Sequence, residues 1–153
     1  MSLSSVQAFF AEHAPDIAVI ELAESTATVA QAAAGHGVEP AQIAKTLAVR
    51  VGEEIVLIVT SGHMRLDNKK FRALFSAKPR MLELDAVERE TGHPVGGVCP
   101  FGLARPLPVY CDLSLKEHAV VVPAAGAIHA AVHIAPERLA ALTGASWIDV
   151  CSA

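Results

Sequence analysis

The feature that most constrains the fold is a pair of apolar segments separated by a two-residue turn. Residues 43–51 and 54–60 are rich in β-branched and other aliphatic side chains, and Gly52-Glu53 lies between them. Two strand-like segments joined by a short glycine-containing loop are typical of a β-hairpin. The hairpin commits the centre of the chain to an antiparallel sheet, against which the shorter flanking segments must pack.

Shorter helices and strands are predicted on both sides of the hairpin from periodicity, capping residues and breakers. The predicted helices span 4–13, 25–34, 67–75, 85–91 and 136–142. The other predicted strands span 17–20, 81–82, 109–113, 119–122, 128–134 and 147–150. Strands outnumber helices, so we expect an α+β fold with a mixed, mostly antiparallel, barrel-like curved sheet surrounded by helices. The length suits a single domain over residues 1–153.

Composition argues against a membrane protein and against a disulfide-stabilised secreted domain. No apolar run approaches the roughly 20 residues of a membrane helix, and no charged segment followed by an apolar stretch opens the chain. The three cysteines, Cys99, Cys111 and Cys151, are odd in number and form no CxxC pair, which argues against a disulfide frame or a zinc site. We therefore expect a cytoplasmic protein, and no motif in the sequence indicates a metal site or another cofactor.

Half of the basic residues lie in one short run, although the formal net charge is −4. Only Asp67 opposes them there, and the six are Arg65, Lys69, Lys70, Arg72, Lys78 and Arg80. A local basic face can bind phosphates even on an acidic protein, and it can equally be a solvated helix surface. The run alone does not decide between these two interpretations.

The most specific motif lies in a proline- and glycine-rich segment at 93–108 and reads Gly96-Gly97-Val98-Cys99-Pro100-Phe101-Gly102. Adjacent glycines adopt backbone angles closed to other residues and let a ligand approach the main chain. Successive free N–H groups in such a turn form a concave anion site that suits an oxyanion or a phosphate. A tight structural loop is an equally good interpretation of the spacing alone.

Lys45 interrupts the apolar pattern of the first hairpin segment. Strand alternation places it with Ile43, Leu47 and Val49, on a face where an unpaired charge is costly. It is either an edge lysine whose ammonium reaches solvent, or a cation that lines a pocket and holds an anionic or strongly polar ligand group.

Both features occur together in one known family. The segments from Ser25 to Ala33, Gln42 to Leu47 and Gly92 to Leu103 resemble the YbaK/ProX family, whose members are similar to the editing domain inserted in bacterial prolyl-tRNA synthetases. The GxxxP loop of that family matches Gly96 to Pro100, and its pocket lysine matches Lys45. The likeness extends over essentially the whole chain.

The resemblance implies a hydrolase that acts in trans on mischarged tRNA, above all tRNA-Pro carrying a small amino acid such as alanine or cysteine. It implies that the protein positions the ester, without a metal or a covalent intermediate, while a water helped by the ribose 2′-hydroxyl attacks. The catalytic candidates are then Lys45, Gly96, Gly97, Val98, Cys99 and Pro100. The expected partners are aminoacyl-tRNA, for which the basic run is the candidate contact, and prolyl-tRNA synthetase, but neither DNA nor a membrane.

Further candidates for the substrate pocket are Ser25, Thr26, Thr46, Phe101, Asp112, Gly126 and His129. Ser25 and Thr26 also fit a helix cap, and Asp112 fits equally a turn cap at Leu113-Ser114 and a residue that orients a water or the substrate amine. His129 and His133 share a face but lack a third metal ligand, so a polar lining role is favoured for His129.

Two alternatives to the editing hydrolase follow from the same residues. Cys99 could be the nucleophile of a small-ester hydrolase, although the sequence fixes no histidine beside it. The chain could also be a non-catalytic module that binds tRNA or a synthetase, but Lys45 together with the GxxxP loop favours the hydrolase. The amino acid removed stays open, because one methylene changes binding by only about 1–3 kcal/mol.

Overall fold

The computed structural model describes residues 2–153 and confirms the predicted α+β class. The helices are α1 (Ser2–His13), α2 (Val29–His36), α3 (Asn68–Phe75), α4 (Leu84–Thr91) and α5 (Pro136–Thr143). The strands are β1 (Ile20–Glu21), β2 (Ile43–Val51), β3 (Glu54–Ser61), β4 (Arg65–Leu66), β5 (Arg80–Met81), β6 (Val109–Asp112), β7 (Val122–Pro123), β8 (Ala130–Ala131), β9 (Ser146–Ile148) and β10 (Cys151–Ser152). Within this range, no helix combines the length and apolar character needed to cross a bilayer.

The main sheet is mixed and stays open. Its strand order is β5-β2-β3-β6-β9, and β7 pairs with the same edge of β2 as β5 does. The β2–β3 and β2–β5 pairings are antiparallel, whereas β2–β7, β3–β6 and β6–β9 are parallel. The predicted barrel is wrong for the described part of the chain, because the short outer strand β9 pairs with β6 and not with the opposite edge.

The β2–β3 hairpin separates two apolar cores. Apolar side chains at even-numbered positions of β2 and odd-numbered positions of β3 face a core that α1, α4 and α5 cover. Val49, Val56 and Ile58 face the other side and pack against Phe71 of α3. Because alternate residues of a strand face opposite sides, the sequence of the hairpin fixes which core each residue enters. Complete burial of Phe71 contributes on the order of 2–3 kcal/mol.

Helix α2 begins later than the sequence analysis predicted. Its N-cap is Thr28 rather than Ser25 or Thr26: the Thr28 hydroxyl accepts from the Gln31 amide, and the Gln31 side chain accepts from the Thr28 amide. This reciprocal arrangement is a capping box, which satisfies two amides at the helix start. The small alanines of α2, Ala32 and Ala33, pack in one cluster with Ile43 of β2 and Val122 of β7.

The strands that flank the hairpin are shorter than predicted. The segments predicted at 17–20, 119–122 and 128–134 contain or overlap β1, β7 and β8, each of which has two residues. The strand predicted at 147–150 overlaps only β9, and β10 begins just after it in a different sheet. The length of such short strands depends on where the neighbouring turns begin and end. Hydrophobic periodicity does not predict those positions.

Asp112, at the end of β6, accepts hydrogen bonds from two separate segments of the chain. Its Oδ2 accepts from the Ser114 amide at 3.0 Å, and its Oδ1 accepts from the amides of Val150 and Cys151 at 2.9 and 3.2 Å. The side chain is almost completely buried. Of the two predicted roles, the turn cap is the one that the geometry supports, and Asp112 does not face a pocket.

We expect Asp112→Ala to lower the free energy of unfolding by about 3 kcal/mol or more, because three buried amides lose their acceptor and each unmade bond costs roughly 1–3 kcal/mol. Urea denaturation followed by circular dichroism measures the change. Asp149→Ala is the matched control: this carboxylate is exposed and pairs with Lys70, so its loss should cost less than about 1 kcal/mol. Equal losses in the two variants would contradict a structural role for Asp112.

Candidate active site

A cavity of about 500 Å³ opens where β5 and β7 leave part of the β2 edge uncovered. It lies between this edge, the start of α2, the start of α4 and the loop that contains the GxxxP motif. Its walls are mostly apolar, and its polar side chains are those of Lys45 and three threonines. The residues that line it are Thr26, Ala27, Thr28, Val29, Ala32, Ile43, Ala44, Lys45, Thr46, Leu47, Ala48, Met81, Leu82, Leu84, Val87, Val95, Gly96, Val98, Val122, Ala124, Ala130 and Ala131.

The two glycines of the motif are required by close packing of the loop. Gly96 has φ +89°, and a Cβ there would lie 2.9 Å from the Ala27 Cβ. A Cβ on Gly97 would lie 2.8–2.9 Å from backbone atoms of Ala127. The Gly97 carbonyl also accepts from the Gly126 amide at 3.0 Å. The glycines therefore let the loop pack tightly against the segments at 25–28 and 126–128, which build one wall of the cavity.

The predicted nest of free amides is only partly present. The Gly97 amide donates to the Pro94 carbonyl at 2.9 Å, so it is not available to an anion. The amides of Gly96 and Val98 donate to no backbone carbonyl of residues 2–153, and both residues line the cavity. Gly97, Cys99 and Pro100 lie behind this surface rather than in it.

Lys45 is one of the residues that line the cavity, and main-chain carbonyls hold its ammonium in place. Nζ donates to two carbonyls on the loop between β3 and β4. They are the carbonyl of Gly62, at 3.2 Å, and that of Met64. An ammonium has three N–H groups, so one remains for a ligand. Burial lowers the pKa of Lys45 below that of an ordinary lysine, Cys151 opposes this effect, and Arg65 adds to it. The predicted apolar surroundings of this lysine are observed.

The threonines of the cavity differ in how their hydroxyls are used. Thr26 Oγ1 donates to the Ile128 carbonyl at 3.2 Å, and Thr28 caps α2. Thr46 Oγ1 is buried without a hydrogen-bond partner among the described residues. Ser25 lies outside the cavity on the surface, where its hydroxyl accepts from the Ala27 amide at 3.2 Å.

Cys99 and His93 meet inside the core, a proximity that the sequence analysis did not predict. Cys99 Sγ lies 3.6 Å from His93 Nε2, and this nitrogen donates to the Phe101 carbonyl at 2.7 Å. Nε2 is therefore occupied and is not a base for the thiol. Both side chains are completely buried, and burial raises the pKa of Cys99 to about 12. The thiol has neither the access nor the acidity of a nucleophile.

Three other predicted pocket residues lie elsewhere. Phe101 is completely buried among the aromatic rings of α1, with its ring centroid 4.7 Å from that of Phe10. Gly126, with φ +89°, packs against the start of α1. His129 points away from the cavity and pairs with Glu21 at 3.2 Å. In each case a contact with a residue distant in sequence determines where the predicted pocket residue lies.

The basic run is less free than its sequence indicates. Lys70 pairs with Asp149 at 2.9 Å and donates to the Cys151 carbonyl at 2.9 Å. The other five side chains, those of Arg65, Lys69, Arg72, Lys78 and Arg80, are exposed. The run approaches the cavity at two points. The carbonyl of Met64, next to Arg65, accepts a hydrogen bond from Lys45, and Met81, next to Arg80, lines the cavity wall.

The wall formed by β5, α4 and the loop at Val95 was not predicted from the sequence. Met81, Leu84 and Val95 line the cavity and are 55%, 74% and 52% exposed. Apolar side chains at such exposure form a rim, which marks a binding surface more often than an isolated exposed residue does. The available signal was Leu84, an apolar residue at a helix start. No group of three or more His, Cys, Asp or Glu side chains within residues 2–153 could hold a metal ion.

The chain matches known proteins over most of its length. The family model of the aminoacyl-tRNA editing domain matches residues 23–142. The chain is 44% identical over 153 residues to the uncharacterized protein YwhH of Bacillus subtilis (strain 168), with 99% of this chain and 98% of that protein covered. It is also 36% identical over 90 residues, 58% of its length, to a proline–tRNA ligase of Geobacter sp. (strain M21), but this match covers only 16% of the ligase.

Solved structures agree with this assignment. A crystal structure described as that of a candidate trans-editing enzyme for prolyl tRNA synthetase is similar with a TM-score of 0.91 at 34% identity, covering 99% of this chain and 98% of that one. The crystal structure of the hypothetical protein APE2540 is similar with a TM-score of 0.89 at 29% identity, covering 97% and 99%. The protein therefore belongs to the aminoacyl-tRNA editing domain family, the YbaK family that its lysine and GxxxP loop resemble.

Proposed function

We propose that this protein is a trans-acting aminoacyl-tRNA deacylase of the cytoplasm, working as one domain over residues 1–153. Its substrate is a mischarged tRNA; the relatives connected with prolyl-tRNA synthetase favour tRNA-Pro, and the family resemblance implies that it carries a small amino acid. The observation that carries the proposal is the cavity itself, whose mostly apolar walls include one cationic residue, Lys45, and two residues of the GxxxP loop, Gly96 and Val98, whose amides donate to no described backbone carbonyl. Its size is that of sites for small molecules, so it has room for an amino acid and part of a nucleoside.

The polar lining limits the chemistry that the protein can perform. None of the residues that line the cavity is Asp, Glu, His or Cys, so the lining offers no carboxylate, imidazole or thiol as a general base or nucleophile. An aminoacyl ester is already activated, and positioning with stabilisation of the oxyanion can supply much of the acceleration. Water then adds to the ester carbonyl, the bond to the ribose oxygen breaks, and that oxygen takes up the proton.

Lys45 fits the role of the cation that stabilises the developing charge. Its two main-chain acceptors hold the ammonium in place before substrate binds, so little reorganisation is needed during the reaction. The third N–H is then the donor that faces the ester. The ribose 2′-hydroxyl of the substrate is the group that would guide the water, because the walls offer no carboxylate or imidazole for that role.

The exposed rim and the basic run suit the remainder of the tRNA. Met81, Leu84 and Val95 form an apolar surface at the mouth, which suits apolar packing against the face of the terminal adenine. The exposed arginines and lysines between 65 and 80 are then the candidate contacts for the acceptor-stem phosphates.

Release of free amino acid from a panel of mischarged tRNAs tests the proposal directly. We expect single-turnover deacylation of at least one of them, and none of correctly charged Pro-tRNA-Pro. Binding of mischarged tRNA without any release of amino acid would instead favour the non-catalytic binding module.

We expect Lys45→Ala to lower the single-turnover deacylation rate about 100-fold or more, because loss of one donor to an oxyanion costs roughly 10²–10³ in rate. Lys45→Met keeps most of the side-chain volume and should be equally impaired, which separates loss of charge from loss of packing. Lys116→Ala is the control, since Lys116 lies over the Trp147 ring and outside the cavity. An unchanged rate in a folded Lys45→Met protein would refute the role of Lys45.

Cys99 should be dispensable for the chemistry. Cys99→Ser keeps a small hydrogen-bonding side chain, so activity should stay within about tenfold, or roughly 1.4 kcal/mol of barrier. The native protein should also resist iodoacetamide, because all three cysteines are buried, and it should react once unfolded in urea. Loss of all activity on brief alkylation of the folded protein would restore the cysteine mechanism.

Phosphate binding by the basic run predicts a steep salt dependence. Because Lys70 is already paired, the informative variant is Lys69→Ala with Arg72→Ala, which should weaken tRNA binding and lower the slope of log K against log salt by about 0.7–0.9 per lost contact. KM should rise more than kcat falls, because the lost binding is uniform along the reaction. Arg89→Ala, on α4 outside the run, is the control. Identical affinities and slopes would mean that the run is a solvated face.

A further inference from the structure

The edge of β2 that faces the cavity lacks a partner strand at one residue, Thr46. On this edge β7 pairs with Ile43 and Ala44, and β5 pairs with Val49 and Arg50. The Leu82 amide donates to the Ala48 carbonyl at 2.9 Å, so the main-chain groups of Ala48 face this edge. In an antiparallel ladder, residues two apart point their N–H and C=O groups to the same side. The N–H and C=O of Thr46 therefore face the gap.

The fold keeps this gap open from both sides. Beyond β7 the chain turns away to pair with the segment at 130–132: the Ala125 amide donates to Ala130 at 3.0 Å, and the Val132 amide donates to Pro123 at 3.1 Å. Beyond β5 the chain enters α4 at Leu84, the position at which a longer strand would have reached Thr46. Main-chain polar groups in an apolar wall are costly to leave unpaired, so the gap has the properties of a binding site.

The side chain of Thr46 adds an independent observation. Its hydroxyl is the cavity hydroxyl that is buried without a partner among the described residues. Buried hydroxyls are hydrogen-bonded in the great majority of cases. Thr46 thus presents a main-chain donor, a main-chain acceptor and a free hydroxyl within one residue of Lys45.

We propose that Thr46 binds the aminoacyl group as a β-strand binds one residue of its neighbour. An aminoacyl ester carries an α-ammonium and a carbonyl, which are the donor and the acceptor of a single residue in a hydrogen-bonded antiparallel pair. The Thr46 carbonyl accepts from the α-ammonium, and the Thr46 N–H donates to the ester carbonyl, with the hydroxyl as a second donor to an oxygen of the ester. This inference rests on the proposed deacylase function and identifies which part of the substrate the β2 edge holds.

The pairing has a direct chemical consequence for the reaction. A donor on the ester carbonyl oxygen withdraws electron density from the carbon that water attacks, and it stabilises the oxyanion that follows. The ammonium contact recognises a free α-amino group, so an acyl group without one loses a charge-assisted hydrogen bond. Thr46 is therefore both a binding residue and a donor to the reacting atoms.

The test uses a non-hydrolysable probe, 3′-(L-alanylamino)-3′-deoxyadenosine, with ¹⁵N-labelled full-length protein. We expect the Thr46 amide resonance to shift and its hydrogen exchange to slow at least tenfold when the probe binds, while the Gly52 amide in the distant hairpin turn does not respond. The 3′-propionylamino analogue has the same carbonyl but no ammonium. It should bind at least tenfold more weakly.

Kinetics of Thr46→Val provide the second measurement. We expect kcat/KM for deacylation to fall about tenfold or more, because a hydrogen bond to the reacting group is lost without a change of shape. Thr143→Val makes the same exchange on α5, outside the cavity, where the hydroxyl donates to the Leu139 carbonyl at 2.9 Å, and it should keep full activity.

The outcomes separate the two proposals. Active protein that binds the probe without a response at the Thr46 amide, or binds both analogues equally, would overturn the role of Thr46 and leave the deacylase intact. Failure to bind the probe at millimolar concentration would also overturn it. Protein that hydrolyses no mischarged tRNA, but shows the Thr46 response and prefers the ammonium, would support the site within a binding module and refute the deacylase.

Discussion

The antiparallel ladder between β2 and β3 is the interaction on which the rest of the structure depends. It gives the centre of the chain one defined register, from Val51 opposite Glu54 to Ala44 opposite Ser61. That register sends Lys45 to the face covered by α3 and the side chain of Thr46 to the face of the GxxxP loop. A slip of one residue would exchange the two faces, and both the apolar cores and the cavity would be lost together.

The same ladder explains how a cavity without a carboxylate, imidazole or thiol in its lining could support the proposed reaction. One edge of β2 is occupied by β3, so the cavity can form only at the opposite edge, where β5 and β7 are too short to meet. The walls are apolar, which strengthens the electrostatic effect of the few polar groups that they contain. A fixed ammonium and fixed main-chain dipoles in such surroundings act on an ester without first having to reorganise.

The elements encoded by local sequence were predictable, and the contacts between distant segments were not. The hairpin, the five helices and the apolar surroundings of Lys45 follow from periodicity and breakers within a few residues. The sequence also contains the Thr28–Gln31 pattern of a capping box, although Ser25 and Thr26 are the N-caps that it predicts for α2 above. By contrast, the position of Cys99 beside His93 depends on how the loop folds back on itself in the core. The open sheet depends likewise on long-range pairings that no single window of sequence contains.

Selectivity in this arrangement must come from the walls rather than from the strand edge. Main-chain groups bind features that all amino acids share, so the β2 edge cannot distinguish one side chain from another. The neighbouring surfaces are small: Ala44 and Ala48 lie on the strand itself, and Ala32, Ala130 and Ala131 lie opposite. Each added methylene there removes room that a substrate side chain would use and changes discrimination by only about 1–3 kcal/mol. An editing site of this kind is therefore tuned by exchanges among small apolar residues, which leave the hairpin, the lysine and the loop unchanged.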